Sequence, residues 1–248
     1  MERNSTGAVV PATLSRRRLL RASAAGASVC AGLGTDPLIA RPARAQGLVT
    51  GSTTPAEALA ELMAGNKSYY VANKLAFDNL PDLRKETAPA QMPFAAVLSC
   101  ADSRVPVEFI FNQSIGDLFV ARVAGNITTP EILASLEYSA AVLKTVKVIL
   151  VLAHTDCGAV KATIIGHQHV GQITALYPHI EPAVPADLQG KPNPTPDQVN
   201  GVAHDNAKIQ AALLSDASPP LKALIQANQL MIVSGIYDIL SGVVTFDS

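Results

Sequence analysis

Two apolar runs of strand length, 94–98 and 146–153, constrain this chain more than any other feature, the second interrupted only by Lys147. Neither alternates between apolar and polar residues, so each predicts a strand buried on both faces, as in a parallel sheet covered by helices. Reactive groups in such sheets gather beyond the carboxyl ends of the strands. Both runs end in chemistry. The first gives way to Ser99-Cys100-Ala101-Asp102-Ser103-Arg104-Val105-Pro106, the second to His154-Thr155-Asp156-Cys157-Gly158. What the chain can do depends on whether these two edges meet.

Strand and helix signals alternate around them. Thr54-Pro55-Ala56-Glu57 supplies a cap, a proline at the first helical position and a glutamate three residues after the cap, so a helix starts there with Ala58, Leu59, Leu62 and Met63 on its apolar stripe. Segment 69–92, polar and broken by Pro81 and Pro89, reads as an irregular surface arm. A short helix is expected over 106–111 and a second strand over 117–123, closed by a turn at Gly125. Thr129-Pro130-Glu131 caps a helix in which Ile132, Leu133, Leu136, Ala140 and Leu143 keep helical spacing. A helix follows over 157–165, and the proline-rich stretch 166–200 reads mostly as loop. Helices over 202–214 and 220–228, a strand over 230–237 and a short strand over 242–246 complete the chain. The pattern predicts an α/β fold, a mainly parallel four- to five-stranded sheet flanked by helices.

The first 45 residues stand apart. Ser15-Arg16-Arg17-Arg18-Leu19-Leu20-Arg21, a weakly apolar Ala- and Gly-rich run, and the small-x-small site Ala43-Arg44-Ala45 follow in the order of an export signal. This resembles a twin-arginine signal, with cleavage leaving Gln46 first. Its apolar run falls short of the roughly 20 residues of a stable membrane span. The expected partition is therefore a cleaved signal over 1–45, a linker over 46–53 and one catalytic domain over 54–248, in a periplasmic or secreted protein. A net charge of −1, no tryptophan and 4% aromatic residues argue against a nucleic-acid partner and favour a small substrate.

Of three cysteines, Cys30 lies in the signal, which leaves Cys100 and Cys157 in a compartment where disulfides form. Two readings are open. The pair is a structural disulfide in a binding protein, or the two thiols join His154 as three ligands of a catalytic zinc with an open fourth position. The disulfide reading leaves His154, Asp102 and Arg104 without a role. Asp102 and Arg104, two residues apart, can share one side of an extended stretch, with the guanidinium fork holding the carboxylate beside the metal or away from it.

Cys100-x-Asp102-Ser103-Arg104-Val105 together with His154-x-x-Cys157-Gly158 resembles the beta-class carbonic anhydrases. Similar too are Gly116-Asp117-Leu118-Phe119-Val120, Arg122-Val123-Ala124-Gly125-Asn126, Ile236-Tyr237-Asp238, and a late helix with Asn206 followed by Ser218-Pro219-Pro220-Leu221. The likeness covers most of 56–246. It implies one Zn2+ per subunit on Cys100, His154 and Cys157, with water or Asp102 as fourth ligand, and Asp102 and Arg104 as the catalytic pair. Carbon dioxide would be hydrated to bicarbonate by a zinc-bound hydroxide, with Gln113 and Gly158 touching the substrate. The resemblance also implies a homodimer or higher even homo-oligomer, the helix from Thr54 embracing the partner. Val105, Phe109 and Tyr138 are candidates to line an apolar pocket, and His167, His169 and His179 to shuttle protons. Hydrolases of carbon disulfide or carbonyl sulfide use the same ligand set and are the rival within the fold. Val123, where the family commonly has asparagine, and the proline-rich loop 178–196 depart from the pattern.

Overall fold

The computed structural model describes residues 54–72, 80–166 and 171–247, so the segments expected to be signal and linker, with Cys30, His167 and His169, lie outside the described residues. Its centre is a five-stranded sheet of β1 (Ala95–Ser99), β2 (Leu118–Arg122), β3 (Val148–His154), β4 (Met231–Tyr237) and β5 (Val244–Phe246). The spatial order is β2-β1-β3-β4-β5, parallel throughout except for the antiparallel β4–β5 pair. From β1 the chain moves outward to β2; after β3 it moves the opposite way to β4. The crevice beyond the carboxyl ends of β1 and β3 is therefore the topological switch point of the sheet.

Around the sheet are α1 (Pro55–Ala72), α2 (Leu80–Thr87), α3 (Val107–Ile110), α4 (Pro130–Glu137), α5 (Gly158–Ile165), α6 (Tyr177–Ile180), α7 (Pro196–Ala217) and α8 (Pro219–Gln226). Every residue of β1 and β3 is buried, and the pleat sorts them onto two faces. Ala96, Leu98, Ile149, Val151 and Ala153 join one apolar cluster with residues of α4, α5, α7 and α8. Ala95, Val97, Val148, Leu150 and Leu152 join the other with Ala58 and Leu62 of α1 and Val107 and Ile110 of α3. Among the described residues no helix is long and apolar enough to cross a membrane.

Three sequence expectations change. Among the described residues of the arm over 69–92, two stretches are helical: α1 runs on to Ala72, and α2 opens at Leu80 with Pro81 in its first turn, where a proline gives up no helical hydrogen bond. The loop over 166–200 contains α6 flanked by single helical turns at Ile173–Leu176 and Glu181–Ala183, and it buries Ile180, Ala183, Val184 and Leu188 in the first cluster. The helix expected at 202 starts at Pro196, because Thr195 and Gln198 form a capping box, with Gln198 N–H donating to Thr195 Oγ1 at 3.3 Å and Thr195 N–H to Gln198 Oε1 at 2.9 Å.

The stripe that α1 buries also differs. Met63 is half exposed, and the chain instead buries Ala58, Leu62, Gly65 and Asn66. Asn66 donates to the carbonyls of Ile110 and Gly242 and accepts from Val244 N–H. Gly65 lets the helix approach so closely that a Cβ there would stand 1.8 Å from the Phe111 carbonyl oxygen. Helix propensity alone favours Gly65→Ala by about 1 kcal/mol. The close approach reverses the sign, and the variant is expected to lose about 1–3 kcal/mol or more, read as a lower urea midpoint. A raised midpoint would show that α1 does not pack this way.

Candidate metal centre

Parallel pairing builds the centre. Ser99, the last residue of β1, registers with Leu152 of β3 on one side and with Arg122 of β2 on the other. One residue further, Cys100 leaves its strand beside His154, and the turn before α5 returns Cys157 to the same edge. The ligand atoms of Cys100, His154 and Cys157 lie within 4.8 Å of one another, and all three residues are buried. The two edges meet.

The two sulfurs are 4.0 Å apart and both cysteines are free. A disulfide bond measures about 2.05 Å, so the disulfide reading fails. Two sulfurs on one tetrahedral zinc at about 2.3 Å stand about 3.8 Å apart, which the observed spacing matches. Hydrogen bonding with the Cys157 thiol pulls Cys100 down to about 4, and the Gly125 N–H acts in the same direction. Cys157 is pushed up, first by its bond to Cys100 and then by burial. Gly125 N–H donates to Cys100 Sγ at 3.3 Å, and the φ of 75° at Gly125 presents it.

His154 Nδ1 lies 2.9 Å from the Thr155 carbonyl oxygen. A carbonyl only accepts, so Nδ1 carries the proton and Nε2 is the bare nitrogen. Nε2 is fully buried and has no hydrogen-bond partner. An orphaned lone pair facing two thiols fits a soft divalent cation, and a set of two sulfurs and one nitrogen suits zinc.

Asp102 stands at the rim with both oxygens committed to Arg104. Arg104 Nε donates to Oδ1 at 3.0 Å, Nη2 to Oδ2 at 2.9 Å, and the Arg104 N–H to Oδ1 at 2.9 Å. Its Oδ2 is still only 3.9 Å from His154 Nε2. The Arg104 hydrogen bonds hold the Asp102 carboxyl at about 2, and the same contact raises Arg104. Arg122, which sequence reasoning placed only at a strand end, donates from Nε to the Cys100 carbonyl at 2.9 Å and from Nη2 to the Asp102 carbonyl. Its register opposite Ser99 is the signal that would have found it.

Gly158 opens α5, and nothing lies within 4 Å of where its Cβ would be, so there is space beside Cys157. Gln113 is buried, its amide donates to the Phe111 carbonyl at 3.0 Å, and it borders Gly65 of α1. Val105 is core, whereas Phe109 and Tyr138 are 43% and 45% exposed, and Tyr138 packs on Phe119. The carbonyl of His179 accepts from Gln210.

A family model described as carbonic anhydrase matches residues 95–244. "Carbonic anhydrase 2" of Mycobacterium tuberculosis is 32% identical over 193 residues, 77% of this chain and 92% of that protein. This chain belongs to the carbonic anhydrase family. A carbonic anhydrase of Mycolicibacterium smegmatis is 41% identical over 113 residues, 46% of this chain and 54% of its own length. Among solved structures, a tetrameric beta-carbonic anhydrase of Sordaria macrospora shares the fold at a TM-score of 0.60 and 24% identity, over 77% of this chain and 94% of that one. These relatives are named for carbonic anhydrase, none of them for carbon disulfide or carbonyl sulfide.

Because the Asp102 carboxyl sits at about 2 against its ordinary 3.8, the ion pair is complete above 3.8 and is lost as pH falls towards 2. In Arg104→Ala the Asp102 carboxyl is expected to titrate near or above its ordinary value, followed by the carbon-13 shift of that carboxyl. A value still near 2 would mean that Arg104 is not the cause.

Proposed function

We propose that this chain catalyses the reversible hydration of carbon dioxide to bicarbonate and a proton, with one zinc ion per subunit held by Cys100, His154 and Cys157. The observation that carries this reading is the bare, buried His154 Nε2 facing two thiols 4.0 Å apart at the switch point of the sheet. Bound there, zinc supplies Lewis-acid activation of water near neutral pH. The chain's own residues do the rest. Asp102, ionised and turned to the rim by Arg104, accepts a hydrogen bond from the attacking water and fixes the lone pair that meets the carbon of carbon dioxide. The water oxygen forms the new C–O bond, one C=O electron pair moves onto oxygen to give bicarbonate, and the proton passes to solvent.

Arg104 keeps Asp102 from closing on His154 Nε2, 3.9 Å away. Gly158 leaves the approach open, because no side chain fills the space beside Cys157. An amide nitrogen carries two hydrogens, so the bond of Gln113 to the Phe111 carbonyl leaves one N–H to meet the substrate. Assembly into an even homo-oligomer is the expected quaternary state; the Sordaria macrospora relative is described as tetrameric. Residues 1–45 are read as a cleaved twin-arginine signal on the strength of Arg16-Arg17-Arg18 and Ala43-Arg44-Ala45, which puts the domain over 54–248 outside the cytoplasm.

Stopped-flow hydration assays test the roles. Asp102→Ala and Arg104→Ala are expected to keep zinc and lose about a hundredfold in kcat/KM, whereas Cys100→Ser and His154→Ala lose zinc by elemental analysis. Full zinc in the latter two would overturn the ligand set. Expressed with its amino end intact, the protein is expected in the periplasmic fraction beginning at Gln46, and Arg16→Lys with Arg17→Lys should hold it in the cytoplasm. An unprocessed cytoplasmic wild type would refute the export reading.

A further inference from the structure

Arg104 is unusually well anchored for a side chain that is 45% exposed. An exposed guanidinium beside one carboxylate is ordinarily loosely held. Here Nε and one hydrogen of Nη2 serve Asp102, while the far end reaches across to the other metal-ligand loop. Nη1 lies 3.4 Å from Asp156 Oδ2, and Nη2 donates to the Asp156 carbonyl at 3.2 Å. One guanidinium thus bridges the loop after β1 to the loop after β3.

Asp156 lies between the two ligands His154 and Cys157, and its φ of 54° puts it in the left-handed region. Asparagine and aspartate tolerate that conformation better than other side chains. It is fixed from outside the loop: Asp156 N–H donates to Asn200 Oδ1 at 2.8 Å, and Asn200 sits in the second turn of α7. A line of contacts therefore runs from α7 through Asn200, the Asp156 turn and Arg104 to the Asp102 carboxylate. Plain surface charge does not account for it, because both the backbone oxygen and the carboxylate of Asp156 engage the same guanidinium.

We infer that Asp156 and Asn200 are positioning residues for the Asp102–Arg104 pair: together they fix the free end of Arg104 so that both Asp102 oxygens stay turned away from the metal donors. The inference rests on the carbonic anhydrase reading for its kinetic consequence but not for its geometry. Without the second anchor, Arg104 pivots on Asp102 and the pair explores positions in which it no longer orients the water. Substrate affinity is untouched, since neither residue meets the carbon dioxide.

The test uses the zinc-loaded protein as wild type, Asp156→Ala, Asn200→Ala and the conservative Asp156→Asn, which keeps both the turn preference and an oxygen acceptor. Two readouts are taken: the rate at which phenylglyoxal modifies Arg104, followed by the mass of its peptide, and kcat and KM for hydration. In the two alanine variants Arg104 is expected to react several-fold faster and kcat to fall about fivefold, with KM within about twofold. Asp156→Asn should stay within about twofold of wild type on every measure. Wild-type labelling rates in both alanine variants overturn the proposal, as does an Asp156→Asn variant impaired as much as Asp156→Ala. If Asp156→Ala does not fold, Asn200→Ala carries both readouts alone. A wild type that fails to hydrate carbon dioxide sinks the functional reading, and the labelling rates then decide the positioning role by themselves.

Discussion

The parallel pairing of β1 with β3 is the constraint on which the rest depends. It brings Cys100 and Cys157, 57 residues apart, to 4.0 Å, because parallel neighbours finish at the same edge and the register sets Ser99 opposite Leu152. Such a pairing exists only where both faces of the strands are buried. Two separate apolar clusters, one with α4, α5, α7 and α8 and one with α1 and α3, are thus as necessary to the centre as its ligands. A one-residue slip between β1 and β3 would send alternate side chains to the wrong face and part the sulfurs.

Charge balance explains why Asp102 sits where it does. Two thiolates already neutralise a divalent cation, and a third anion buried beside them would carry an uncompensated charge at a cost of several kcal/mol. Arg104 removes that problem by pairing with the carboxylate at the rim, where Asp102 is 18% exposed. The carboxylate stays ionised and near the donors, yet its lone pairs point at a guanidinium. Arg122 holds the backbone of the same loop by its carbonyls, so the loop's direction does not rely on the ion pair alone.

Much of this was legible in the sequence because it is written in local pattern: apolar runs for buried strands, Thr-Pro-x-Glu for the start of α1, and reactive residues at strand ends. The misses have physical causes. As sequence signals Pro81 and Pro196 read as breakers although each lies in the first turn of a helix, and Thr195 with Gln198 carries the same capping signature as Thr54 and Glu57. Apolar spacing puts Met63 on the buried stripe because a glycine gives no apolar signal, while Gly65 marks the true contact line. Asn200 and Gly125 serve the site by single backbone contacts set by tertiary approach, which no local pattern encodes.

The long helix α7 shows how a hydrophobic layer can carry positional information. Val199, Val202, Ala203, Ala207 and Leu214 bury its apolar stripe, and Asn206 and Gln210, one turn apart, lie within that stripe, buried and bonded to each other at 3.2 Å. An apolar pair there would pack at least as well. These amides instead reach the loops around the site: Asn206 donates to the Gly125 carbonyl, and Gln210 donates to the His179 carbonyl and accepts from Thr128 N–H. Buried amides with such partners specify one arrangement where an apolar contact would tolerate several. Because Gly125 N–H in turn meets Cys100 Sγ, the helix behind the sheet fixes both the hydrogen bond to one ligand and, through Asn200, the turn that presents the other two.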